Sequence, residues 1–222
     1  MSLSRLTLFN QAVSAAGGRS SIADPDENSR EANLCRLWYG IVRDNVLQTG
    51  PWPSTTAHAR LGVQEERDIA ADWASTDPGP GWLYAYTAPA DMLRPRFLHS
   101  YCPFERQTFN GATAIMANEE NAILTYTKLV EEPFDWDNTL YMAVVFSLAA
   151  HITMELTKKM TLLDRLQQKA TEQLLLGMTE VANEQHTRQE DHPTMLSIRN
   201  ADAPLYMDRF SYPYATLNAI AA

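Results

Sequence analysis

A chain of 222 residues suits one domain with an insertion or an extension, or two small domains. Its 27 acidic and 18 basic residues give a formal net charge of −9, which argues against a protein that wraps nucleic acid with a basic surface. The charge leaves room for a protein that DNA merely passes. The two cysteines, Cys35 and Cys102, form no paired framework, so we expect free thiols and a reducing compartment.

Two helices are predicted before residue 50. Apolar residues recur at three- and four-residue spacing over residues 4–16, and Gly17 and Gly18 end that helix as a left-handed C-cap requires. This segment has no long apolar core and no clear cleavage site, so we expect no signal peptide. The Asp-Pro-Asp-Glu run at residues 24–27 predicts the start of the second helix, which extends to about residue 48.

The segment after the second helix is interrupted by prolines, which cannot continue the helical backbone ladder. A short helical piece is predicted over residues 55–61. The acidic run at residues 64–74 is interpreted as a solvated helix or loop rather than an ion site. The Pro-Gly-rich residues 77–81 then mark a sharp turn, after which the pattern of the chain changes.

Residues 80–130 are predicted to form a small antiparallel β module inserted between helices. Short segments of alternating or β-branched character are separated there by turn residues. Asn110-Gly111 and the polar residues 118–121 are predicted as hairpin turns. Pro95 interrupts the second strand, since proline cannot donate a hydrogen bond to a strand ladder.

A helix apolar on nearly its whole circumference is predicted after residue 137. Asp137 is its expected N-cap, and Lys158 and Lys159 suit the negative end of its dipole. Such a helix must be buried on all sides. A membrane span needs about 20 apolar residues, and the apolar block at residues 140–150 is much shorter. We therefore interpret it as the central helix of a bundle, with no membrane span.

A fourth helix is predicted from a cap at Thr161 to about residue 185. Residues 186–222 are too aromatic for a flexible linker and too rich in proline for a helix, which is typical of a segment that docks on its own subunit or on a neighbour. The predicted fold is mainly α: a four-helix bundle from residues 1–79 and 131–185, an inserted β module and an extended C-terminal arm.

Residues suited to catalysis or metal binding are sparse. His151 and Glu155 lie one turn apart on the central helix and resemble half of a metal site, but no second such pair exists, so a structural histidine is favoured. No nucleophile or phosphate-loop motif is present. We expect no enzyme activity, no cofactor and no metal. The alternative is a soluble helical metal-binding protein or enzyme that uses His151 and Glu155.

Four segments carry a resemblance to a known family. They are LFNQAVSAAGG, NVLQTGPWPSTTAHARL, WLYAYTAPADMLRPRF and ILTYTKLVEEPFDWDNTLYMAVVFSLAAHITMELTKK. Together, and in this order, they resemble the head-to-tail adaptor proteins of tailed bacteriophages, also called tail tubular protein A or head-completion and gatekeeper proteins. The motif residues in the β module are Tyr84, Tyr86, Pro89, Asp91 and Tyr126. Pro95 departs from the family pattern, in which the strand is expected to continue.

The resemblance implies a structural virion protein at the head-to-tail junction, assembled in the host cytoplasm. Such proteins form twelve-fold rings beneath the portal protein, extend the DNA channel and provide a platform for the tail nozzle protein. Genomic DNA passes through the ring without specific binding. The C-terminal arm is expected to insert against the portal. Its predicted anchors are Leu205, Tyr206, Phe210, Tyr212 and Tyr214.

Overall fold

The computed structural model describes residues 3–68 and 77–184, which form four α-helices and seven β-strands. The helices are α1 (Arg5–Ala15), α2 (Arg30–Thr49), α3 (Asn138–Leu156) and α4 (Met160–Glu184). The strands are β1 (Thr56–Arg60), β2 (Gly62–Glu66), β3 (Tyr84–Thr87), β4 (Met92–Leu98), β5 (Phe104–Phe109), β6 (Ala112–Ala117) and β7 (Ile123–Lys128). We call the four helices the helical lobe and the seven strands the β lobe.

The helical lobe is built around α3, which packs against each of the other three helices. Buried side chains lie on every side of α3, as its apolar circumference predicts. Among the described residues, α3 is also the one helix whose length and composition would allow it to cross a membrane, a test that the core helix of a globular protein passes as well. Its burial against three neighbours accounts for the apolar composition.

The predicted ends of the first helix are confirmed, whereas the start of the second is displaced. Ser4 caps α1 by accepting a hydrogen bond from the Thr7 amide at 3.2 Å, and Gly17 adopts a left-handed φ of 80° after its end. α2 begins at Arg30 with Ser29 as its N-cap. The Glu27 carboxylate instead closes a local turn by accepting from the amides of residues 23 and 24, which leaves capping to Ser29.

The β lobe consists of two antiparallel sheets that pack face to face. One sheet has the order β1-β7-β4, and the other has the order β2-β3-β6-β5. Their shared core joins side chains from both sheets. Its largest buried members are Tyr86, Leu98, Ile115, Leu124 and Tyr126. The chain changes sheet within one residue at Leu61, whose amide donates to the Ala122 carbonyl at 2.9 Å.

The predicted mainly-α four-helix bundle is therefore wrong. Seven strands in two sheets occupy too much of the chain, and the helices surround α3 rather than forming four equivalent members. The helical piece predicted over residues 55–61 is also wrong, since β1 and β2 lie at 56–66. Both strands are sheet edges with mostly exposed or half-buried side chains, so they lack the apolar alternation that marks a strand in sequence.

One of the two predicted hairpin turns is confirmed. Asn110 and Gly111 both have positive φ, at 50° and 77°, and they join the paired strands β5 and β6. Residues 118–121 do not form a hairpin, because β6 pairs with β3 and β5 whereas β7 pairs with β1 and β4. That turn carries the chain from one sheet to the other. Pro95 lies on the edge strand β4 beside a register shift, where a missing donor is tolerated.

Candidate functional site

The motif residues of the β lobe lie in and beside its core. Tyr86 is fully buried on β3, with its ring 5.9 Å from that of half-buried Tyr84, and its hydroxyl donates to the Glu119 carbonyl. Tyr126 on β7 donates its hydroxyl proton to Asp91 Oδ1 at 3.0 Å. Asp91 follows the Pro89 turn, so this hydrogen bond fixes the entry into β4 against the middle strand of the sheet.

Two arginines of β4 attach the β lobe to the C-terminal end of α2. Arg96 donates from Nε to Thr127 Oγ1 at 2.8 Å, and its Nη2 contacts three carbonyls at the end of α2, namely those of residues 47, 48 and 50. Arg94 donates from Nη1 to the Gln48 carbonyl at 2.9 Å. The carbonyls at a helix C-terminus lack intrahelical partners and carry partial negative charge. A guanidinium group supplies both hydrogen-bond donors and a positive charge to them.

Arg96 keeps its charge in a half-buried position without a carboxylate partner. Its burial, and secondarily the repulsion from Arg94, lowers the pKa of its guanidinium. No ion pair within residues 3–68 and 77–184 involves either arginine. The helix end is therefore the counter-charge for Arg96, and the contact depends on several directional hydrogen bonds at once.

Trp52 is the second element of the joint between the lobes. Its indole is buried, donates from Nε1 to the Val46 carbonyl at 3.0 Å, and lies directly on the backbone of α4 at Gly177. A β-carbon on Gly177 would come within 2.3 Å of Trp52 Cζ3, so only glycine fits this position in α4. The Pro-Trp step in the second resembling segment thus positions the turn between α2 and β1 against the last helix.

A third contact joins α2 to the segment before α3. The Tyr39 hydroxyl donates to the Glu131 carbonyl at 2.7 Å, and the guanidinium groups of Arg5 and Arg43 lie 5.7 and 5.5 Å from its ring centroid. Arg5 also forms an ion pair with Glu132. Burial raises the pKa of Tyr39 to about 12, so the hydroxyl stays neutral and remains a donor even at moderately alkaline pH.

The candidate metal pair on α3 does not assemble into a site. His151 is exposed, its ring lies 5.0 Å from that of Trp38 with the two planes tilted by 40°, and its Nδ1 bonds with the Ser147 carbonyl at 2.8 Å. Within residues 3–68 and 77–184, no group of three or more histidine, cysteine or acidic side chains could hold a metal ion. A shallow cavity of about 230 Å³ lies beside Trp52 and the first turn of α3, with Asp137 and Glu180 in its lining.

The N-cap prediction for α3 is confirmed in position but not in bonding. Asp137 precedes the first helical residue, yet its carboxylate accepts from Ser54 Oγ at 2.9 Å instead of capping an amide of the helix. This side chain therefore links the turn after Trp52 to the start of the central helix. The predicted portal anchors Leu205, Tyr206, Phe210, Tyr212 and Tyr214 lie outside the described residues.

Several contacts of the joint were not predicted from the sequence. Arg96 and Gly177 gave weak signals: a second arginine two residues after Arg94, and a glycine in the interior of an otherwise regular helix, which usually has a packing reason. Tyr39 gave none, since an aromatic residue on the apolar stripe of α2 is an ordinary core residue. Comparison with models of known protein families and with curated proteins gives no match for this chain.

Proposed function

We propose that this protein is a structural subunit of the head-to-tail connector of a tailed bacteriophage. Twelve copies form a ring that docks on the portal protein, extends the DNA channel and provides the platform for the tail nozzle protein. The proposal rests first on the four resembling segments, which occur in the family's order along the chain. It places the protein in the virion neck and assigns it a mechanical role without catalysis.

One structural observation carries the proposal: residues of those segments make the joint between the two lobes. Arg94, next to Arg96, binds the end of α2, and Trp52 packs on α4. Asp91 and Tyr126 brace the strand from which the arginines project. These hydrogen bonds and this packing fasten β4 and the turn before β1 to the helices. A ring that bears the load of a packaged genome and a tail needs such subunits.

The proposal also assigns roles to the C-terminal arm, to the β lobe and to the net charge. The C-terminal arm anchors the subunit in pockets of the portal through Leu205 and the aromatic residues Tyr206, Phe210, Tyr212 and Tyr214. Buried aromatic side chains are among those that contribute most binding energy at interfaces. The β lobe faces the nozzle. The net charge of −9 keeps passing DNA from adhering to the ring, because like charges repel within about a Debye length of 10 Å.

Mass measurement of the full chain with and without the portal ring tests the proposal. We expect free subunits to be monomers in dilute solution and the mixture with portal to contain one ring of twelve copies per portal. Deletion of residues 193–222 should abolish docking while far-ultraviolet circular dichroism still reports a folded protein, because the core lies in residues 3–184. Full-length chain that leaves the portal bare would overturn the function. Normal docking of the truncated chain would overturn the anchor assignment alone.

A further inference from the structure

An acidic turn with a protruding aromatic ring precedes α3. Phe134 is 70% exposed although its neighbours Pro133 and Trp136 are buried. Exposed Glu131, Glu132 and Asp135 flank it. The turn is held by a hydrogen bond from the Trp136 amide to the Pro133 carbonyl at 3.3 Å and by the bond from Tyr39 to residue 131. We call residues 131–135 the acidic–aromatic turn, and its rigidity means that little entropy is lost when it binds.

A surface with protruding apolar side chains and one arginine lies at one end of the three-stranded sheet. Phe97 and Tyr101 stack with centroids 5.5 Å apart and are 40% and 70% exposed. Ile123 on β7, 40% exposed, lies on the same face and pairs with Arg60 of β1. We call Arg60, Phe97, Tyr101 and Ile123 the basic–aromatic patch.

The Tyr101 ring is exposed to solvent, and its backbone adopts an unfavourable conformation. Its φ of 59° lies in the left-handed region, which costs a non-glycine residue without a short polar side chain about 1–2 kcal/mol. The ring gains little burial in return, since most of its surface is exposed. Backbone strain that the subunit itself does not repay is typical of a residue with a binding role.

The two surfaces complement each other in charge and in apolar content. The strand residues on the outer face of the three-stranded sheet include Arg60 and His58 and contain no carboxylate, although the chain is strongly acidic overall. One carboxylate, that of Glu119, lies beside the patch, where it accepts from Ser100 Oγ. None of the ion pairs within residues 3–68 and 77–184 involves Arg60, Glu131 or Asp135. The contact can therefore pair Arg60 with Glu131 and Asp135, whereas Glu132 already pairs with Arg5.

We propose that the acidic–aromatic turn of one copy binds the basic–aromatic patch of the next copy. Phe134 packs against Phe97, Tyr101 and Ile123, and the acids beside it face Arg60. This inference deepens the proposed ring function by naming the contact between neighbours.

The positions of the two surfaces make the contact head-to-tail. The patch lies at the start of β7 and the acidic–aromatic turn follows its end, and the six residues of the strand span about 17 Å. Phe134 and Tyr101 are both mostly exposed, so they do not cover each other within one subunit. Because the contact joins two different surfaces, it repeats from copy to copy and closes into a ring when the rotation permits.

Sedimentation of concentrated subunits without portal tests the contact independently of the proposed function. Phe134→Ser removes the ring of the turn, and Tyr101→Asn removes that of the patch while leaving a residue that tolerates left-handed backbone. We expect the unmodified chain to self-associate, more weakly at high salt. Each variant alone should lose at least about tenfold in association constant. An equimolar mixture of the two should recover dimers and nothing larger, since it retains one intact contact.

Leu37→Ser is the matched control, because Leu37 on α2 is 63% exposed but belongs to neither surface. Its association should equal that of the unmodified chain. The proposal is wrong if the unmodified chain stays monomeric at millimolar concentration, if both variants associate normally, or if Leu37→Ser alone disrupts association. Subunits that self-associate through this contact yet leave the portal bare would overturn the connector function and not the contact.

Discussion

The helical lobe and the joint that connects it to the β lobe are stabilised in different ways. Buried side chains lie on every side of α3, so the helical core depends on many apolar contacts spread over a large area. The joint depends on three side chains: Arg96, which binds the end of α2; Tyr39, which binds the segment before α3; and Trp52, which packs on α4. Removing one partner of a buried hydrogen bond or close contact leaves the other group unsatisfied, which costs free energy of folding. Substitutions in the joint should therefore cost more than their small area suggests.

The largest effect is expected at Arg96. Arg96→Met keeps much of the apolar stem but removes the donors to Thr127 and to the last carbonyls of α2. Unpartnered carbonyls in a half-buried position cost about 1–3 kcal/mol each group, so we expect the free energy of unfolding to fall by about 3 kcal/mol. Urea denaturation followed by tryptophan fluorescence measures this change.

Arg94→Met provides the control for Arg96→Met. Arg94 is exposed and makes one hydrogen bond to the same helix end, so its loss should cost less than about 1 kcal/mol. Equal effects of the two substitutions would mean that the charge of β4 matters and the geometry at the end of α2 does not. In that case the joint would resemble an ordinary surface contact.

One buried tyrosine of the joint and one of the core should titrate alike at alkaline pH. Burial raises the pKa of Tyr39 and of Tyr141 to about 12, from an ordinary value near 10. A raised pKa favours the neutral folded form, so this stabilisation is complete below pH 10 and is lost as the pH rises from 10 to 12. Each tyrosine should contribute about 2–3 kcal/mol to that loss.

Phenylalanine substitutions separate these two tyrosines at neutral pH. Tyr39→Phe should lower the free energy of unfolding by about 1 kcal/mol at pH 7, because the bond to the Glu131 carbonyl is lost. Tyr141→Phe should leave it nearly unchanged, since no partner for its hydroxyl exists among residues 3–68 and 77–184. Both substitutions should reduce the loss in free energy of unfolding above pH 10. An unaltered alkaline decline in both variants would contradict this account.

The third expected effect lies at the contact of Trp52 with α4. Gly177→Ala forces a β-carbon into the buried indole, and overpacking of this kind costs about 1–3 kcal/mol, offset in part by the better helix propensity of alanine. Gly40→Ala in α2 meets nothing within 4 Å and should instead stabilise by up to about 1 kcal/mol. Thermal unfolding of the two variants should shift in opposite directions. Shifts of the same sign would show that the Trp52 indole moves to make room for the added β-carbon.

Sequence patterns predicted the helices better than the β lobe, for a physical reason. The apolar periodicity of α1, the circumference of α3 and the Asn110-Gly111 turn are local properties of short segments. Strand partners are not local: β1 pairs with β7 across more than sixty residues, and its polar sequence gives no sign of it. The turn at residues 118–121 could not be recognised as a crossover, because both its flanks are ordinary strands.

The candidate site was predictable only in part. Tyr126 and Asp91 stood out through the resemblance, and the structure brings them together. Arg96 did not stand out, because its importance comes from the end of a helix almost fifty residues earlier in the chain. The motif therefore indicated the right region, whereas the joint was visible only once the helix end and the edge strand were placed side by side.

The smallest expected effect belongs to the β lobe itself, at the hydrogen bond between Tyr126 and Asp91. Tyr126→Phe and Asp91→Ala should each lower the free energy of unfolding by about 1 kcal/mol, and the double variant should cost no more than either alone. Asp91→Asn retains an acceptor and should cost less. Urea denaturation of the four variants gives the coupling energy. Additive single effects would mean that the two side chains stabilise the sheet separately, and that Asp91 does not fix the entry into β4 through Tyr126.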